Sequence, residues 1–135
     1  MKLFLRGLVI AATAIAITAC SNSKNTIQSI EGTVTYLQRI ALPPTAVLAV
    51  SLNDISSSNA STIIDTQEFK TEGKQVPISF TYKVPNDINT KKQYGLSAII
   101  KDEMGQTLFT SAIPTPVLTD ANKTSKVEMR LISDN

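Results

Sequence analysis

Histidine and tryptophan are absent from this 135-residue chain, and cysteine occurs once. Without imidazole the chain lacks the usual general base at neutral pH and the commonest ligand of zinc and iron. One thiol cannot close a disulfide within the chain, so the fold must stand on its core alone. Its five glycines are scattered and form no phosphate-binding loop. Acidic residues do not gather into a calcium-binding loop. An excess of one charge is missing too: 13 Lys and Arg face 11 Asp and Glu. Lys2 and Arg6 account for the whole difference, so without them the count is 11 against 11. A nucleic-acid binder needs a basic face to neutralise phosphates, and this balance supplies none. We therefore expect no cofactor, no metal, no nucleic-acid partner and no enzymatic activity. Asp102 and Glu103 are adjacent carboxylates, but they read as exposed turn residues rather than an acid–base pair.

What the chain does have begins at its first residue. Lys2 and Arg6 precede an uncharged run, residues 7–17 (GLVIAATAIAI). This suits a secretory signal and falls short of the ~20 apolar residues needed to span a bilayer. Ile17, Thr18, Ala19 and Cys20 follow. An aliphatic residue, two small residues and a cysteine resemble the lipobox of bacterial lipoproteins. That resemblance implies a diacylglyceryl thioether on Cys20, cleavage after Ala19 and acylation of the new amine. The alternative is a plain secretory signal with a chance cysteine, or a free cysteine buried in the core. Ser21 stands where lipoproteins kept in the inner membrane of Gram-negative bacteria usually carry Asp, which implies outer-membrane sorting. Residues 21–29 (SNSKNTIQS) are polar and read as a tether reaching about 30 Å at most. The division expected is therefore 1–19 signal peptide, 20–29 lipidated cysteine and tether, and 30–135 folded domain.

From residue 30 the pattern has period two. Val76, Ile78, Phe80, Tyr82 and Val84 alternate with Pro77, Ser79, Thr81 and Lys83. Tyr94, Leu96, Ala98 and Ile100 repeat the alternation, as do Val127, Met129 and Leu131, and Leu48, Val50 and Leu52. Residues 30–41 and 61–70 are weaker but rich in Thr, Ile, Val and Tyr. A short strand over 108–113 is stopped by Pro114 and Pro116. Pro77 lacks an N–H and belongs at a strand start or sheet edge. Residues 102–105 (DEMG) suit a hairpin tip, with Gly105 able to take positive φ. No stretch has helical periodicity. The expectation is all-β: a single antiparallel β-sandwich of about seven strands. Arg39 and Asp54 would pair across the intervening turn and fix strand register.

Residues 39–56 (RIALPPTAVLAVSLNDIS) resemble the signature of the YbaY/YscW lipoprotein family, loosely R-I-A-L-P-P-x-A-x-L-x-V-x-L-x-D-x-S. Leu42, Pro43, Pro44, Ala46, Leu48, Val50 and Leu52 carry the match. Residues 77–80 (PISF), 94–100 (YGLSAII) and 105–109 (GQTLF) fit later family pieces in order, the last with one spacer difference. Residues 58–61 depart from the pattern, since many relatives have an acidic residue followed by Ala-Pro there. The resemblance implies a β-sandwich and one of two roles. One branch comprises pilotins of type III secretion, outer-membrane lipoproteins that help a secretin reach and assemble in that membrane. The other comprises housekeeping lipoproteins.

The resulting expectation is a non-enzymatic lipoprotein held in the outer membrane by its lipid anchor. It would face the periplasm and bind or chaperone a secretin or another envelope protein. The alternatives are a structural envelope lipoprotein without a dedicated client, and a periplasmic enzyme inhibitor.

Overall fold

The computed structural model describes residues 29–118 and 125–134. These residues form eight strands and no helix: β1 (Ser29–Tyr36), β2 (Val47–Asp54), β3 (Thr62–Lys70), β4 (Ile78–Lys83), β5 (Tyr94–Lys101), β6 (Thr107–Ser111), β7 (Thr115–Val117) and β8 (Lys126–Ser133). All belong to one sheet, ordered β3-β2-β5-β6-β8-β1-β4, with β7 paired to β5.

The sheet curls until its edge strands, β3 and β4, face each other, so the domain is a nearly closed barrel rather than the expected sandwich. Alternating burial cannot separate the two cases, because a curled sheet and two stacked sheets both bury every second residue. The sheet is also not wholly antiparallel. β1 and β8 run parallel, from Glu31 opposite Lys126 to Tyr36 opposite Leu131. β7, which lies off the main strand order, contains Pro116, which pairs with Gly95 of β5. A three-residue strand paired with one neighbour tolerates a residue lacking an N–H, so the proline does not break it.

The alternation predicts the interior correctly. Leu48, Val50 and Leu52 of β2 are fully buried, as are Ile30, Val34, Tyr82, Leu96 and Ile100. The opposite face of β2 is buried as well, because Ala49, Ser51 and Asn53 are small and lie between β3 and β5. Their polar groups are satisfied locally. The Ser51 and Thr66 hydroxyls lie 2.9 Å apart, and Asn53 Nδ2 donates to Ser97 Oγ at 2.8 Å. Tyr36 and Phe109 stack at 3.9 Å between centroids, joining the ends of β1 and β6 on either side of β8.

The turns follow their chemistry. Gly105 takes φ +81°, and Asp102 Oδ1 accepts the N–H groups of Met104 and Gln106 at 2.9 Å each. Pro77 immediately precedes β4, which pairs with β1 alone.

Candidate functional site

The Leu-Pro-Pro segment builds a pinned turn at the β2 end of the barrel. Pro43 O accepts the Ala46 N–H at 3.0 Å, which closes the turn with Pro43 and Pro44 exposed. Leu42 and Ala46, on either side, are buried. Both are held by the segment that follows β3. The Gln75 carboxamide accepts from Leu42 N–H at 2.7 Å and donates to Leu42 O at 3.2 Å. The Thr71 hydroxyl donates to Ala46 O at 2.8 Å. The motif residues Leu42, Pro43, Pro44, Ala46, Leu48, Val50 and Leu52 therefore form one turn and the central inward face of β2.

The expected Arg39–Asp54 pair does not form. Arg39 is exposed beyond β1, whereas Asp54 ends β2 and pairs with Lys92 at 3.0 Å. Asp54 Oδ1 also accepts the Ser56 N–H at 3.0 Å. That backbone bond, the Ser56 side chain and the Lys92 ammonium hold the Asp54 carboxyl down at about 2. Sequence distance misled here: Asp54 lies at the opposite end of β2 from the turn that follows Arg39, beside the loop that carries Lys92. Cys20 and the tether as far as residue 28 lie outside the described residues, and Ser29, expected to end the tether, already opens β1.

The second feature is the seam between β3 and β4, which sequence reasoning missed. Here a side chain replaces the missing ladder. Gln67 Nε2 donates to Lys83 O at 2.7 Å, and Lys83 N–H donates to Gln67 Oε1 at 3.0 Å. One carboxamide thus grips both backbone groups of Lys83, as a neighbouring strand would. Gln67 also donates to Asp65 Oδ2 at 3.1 Å, and the same oxygen accepts the Tyr82 hydroxyl at 2.6 Å. Burial, followed by the neighbouring Asp65 carboxylate, raises the Tyr82 pKa far above its ordinary value, so the phenol stays a donor.

Further along the seam Phe69 meets Phe80, with ring centroids 5.8 Å apart. A cleft of about 680 Å³ runs from there across β4 and β1 to β8, lined by Phe69, Ser79, Phe80, Thr81, Gly32 and Val127 among others. Gly32 is essential to its shape, since a Cβ there would collide with the Phe80 ring and with Val127. The signal for the seam was present in β3: Asp65 and Gln67 share the alternating face of Phe69, where apolar residues would be expected.

Among the described residues no three His, Cys, Asp or Glu side chains gather to hold a metal. The chain has counterparts among known proteins. A family described as the type III secretion system lipoprotein chaperone (YscW) matches residues 25–131. The uncharacterized lipoprotein YbaY of Escherichia coli (strain K12) is 35% identical, over 66% of this chain and 59% of YbaY. The chain thus spans 59% of that relative's length. The structure of an alternative pilotin from the type II secretion system of Vibrio cholerae is similar at a TM-score of 0.71 and 39% identity. That likeness covers 80% of this chain and 97% of the pilotin.

Proposed function

The chain belongs to the YscW family of secretion-system lipoprotein chaperones, and from that premise we propose that it is a pilotin-like protein. In this reading it binds a secretin subunit and helps it to the outer membrane. The observation that carries the reading is the likeness to a pilotin along 97% of that protein's chain, at an identity above the level where fold alone is shared. The described barrel therefore corresponds as a whole to a domain named for that task.

The rest of the proposal concerns placement. Residues 1–19 are a signal peptide, Cys20 is cut free and acylated, and residues 21–29 tether the barrel to the inner leaflet of the outer membrane. A single acyl chain gives only marginal binding, whereas two or three anchor stably. Tethering keeps the barrel within about 30 Å of the bilayer and raises its effective concentration toward clients at that surface. The protein acts by binding and not by catalysis, which agrees with a site built of backbone edges, aromatic rings and amides.

The test is affinity capture of the full-length lipoprotein from crosslinked envelopes of its own host. A secretin should be recovered with it in stoichiometric amounts. Repeated capture without any secretin would remove the pilotin reading and leave an envelope lipoprotein of another task.

A further inference from the structure

We propose that the β3/β4 seam is a strand-addition site, where an extended segment of the client pairs with the free edge of β4. The inference rests on the chaperone reading and deepens it by naming the surface and the conformation of what binds. β4 pairs with β1 on one side only, and on the other side one rung is filled by a side chain. Both backbone groups of Lys83 point away from β1, toward Gln67. Residues two apart on a strand share this direction, so the backbone groups of Thr81 and Ser79 face the seam as well.

Natural edges are blunted by proline, lysine or short length. β4 has Pro77 just before it and Lys83 at its end, yet Ser79 and Thr81 between them carry no such guard. What would satisfy this edge is a backbone in extended conformation, because only that repeats donors and acceptors at strand spacing. The Gln67 carboxamide is the local stand-in and must swing aside when a real peptide unit takes its place.

Side-chain chemistry narrows the occupant further. A strand laid along β4 would send alternate residues inward, onto Phe69 and onto Phe80, whose ring packs over Gly32 beside the cleft. The client segment is therefore an extended stretch with apolar residues at every second position. Its recognition combines main-chain bonds for affinity with the aromatic cleft for selectivity.

The experiment places a photo-crosslinking amino acid at Thr81 in the full-length lipoprotein, and in a second strain at Met104. Met104 is highly exposed at the β5–β6 hairpin tip, on strands remote from the seam in sheet order. Crosslinked partners are identified by peptide mapping, and amide exchange is followed in the complex isolated without crosslinking. The expected result is capture from Thr81, with the Ser79 and Thr81 amides slowed about tenfold or more when the client is bound. Thr81→Pro should weaken capture about tenfold without changing the fold, since the N–H it removes points away from β1.

Crosslinking to a secretin from Met104 alone, with Ser79 and Thr81 exchanging freely, overturns the seam while the secretin reading stands. Capture of a different protein from Thr81 with those amides protected keeps the seam and removes the secretin reading. No partner from either position overturns both.

Discussion

Asp54 and Lys92 illustrate how little of an ion pair's value lies in its Coulomb attraction. The Lys92 side chain is 51% exposed and the Asp54 side chain 19%, and the carboxylate is held mainly by the Ser56 N–H. The aspartate thus acts as a local turn-former that also catches a lysine from the neighbouring loop. Gln93 N–H donates to Ser56 Oγ at 2.9 Å, and Ile55 N–H to Gln93 O at 2.9 Å, so the same few residues pin the β2–β3 loop to the segment before β5. The sign of the pH effect follows from the lowered carboxyl. Its stabilisation is complete above the unfolded value of about 4 and disappears as pH falls through about 2. We expect the Asp54 carboxyl carbon to titrate by NMR with a midpoint near 2. An Asp54→Asn variant should be less stable than the parent at pH 7 and indistinguishable from it below that midpoint. A midpoint near 4 would mean that the Ser56 bond contributes nothing.

At the level of strands, the period-two pattern located the inward faces of β2, β4, β5 and β8 because burial on one face imposes it directly. It could not supply the curvature. Whether one sheet closes on itself depends on which strands pair, and pairing of β1 with β8 joins residues about a hundred apart in sequence. The parallel sense of that pair was equally invisible, since alternation carries no direction. The seam stayed hidden for a related reason. Asp65 and Gln67 looked like noise in a weak strand until the fold set them opposite Tyr82 and Lys83. Likewise Gly32 became meaningful only when Phe80 was found over it. Gly32→Ala must displace a ring packed against Phe69 and Val127, and should cost about 1–3 kcal/mol as an overpacking change. Thermal or urea unfolding measures it directly. A variant as stable as the parent would show that the cleft yields freely, and that the Phe80 ring is not fixed by its neighbours.

The described residues form one small barrel, and in the proposed reading its task depends on where it is held. With 11 acidic residues and 13 basic ones, two of the basic ones being Lys2 and Arg6, the rest of the chain has no net charge to steer it toward a charged partner. In the proposed arrangement, location comes from the lipid anchor. Ser29, the first residue of β1, lies beside Lys83 at the clasped end of the seam, so the tether enters the barrel there. In the proposed arrangement that end lies nearest the bilayer, and the unguarded stretch of β4 begins one residue beyond it. Cys20→Ala tests the arrangement as a unit. In that arrangement the Cys20 thiol accepts the first lipid, and cleavage follows lipidation. The variant should therefore accumulate at full precursor length and be lost from the outer-membrane fraction. Pairing at the seam should survive in purified protein at raised concentration, because the barrel is untouched, whereas secretin assembly in the cell should fail. Normal processing and outer-membrane retention of Cys20→Ala, measured by intact mass and fractionation, would refute the lipid anchor. Correct processing of the parent together with normal secretin assembly by the unanchored variant would separate the chaperone's binding from its placement.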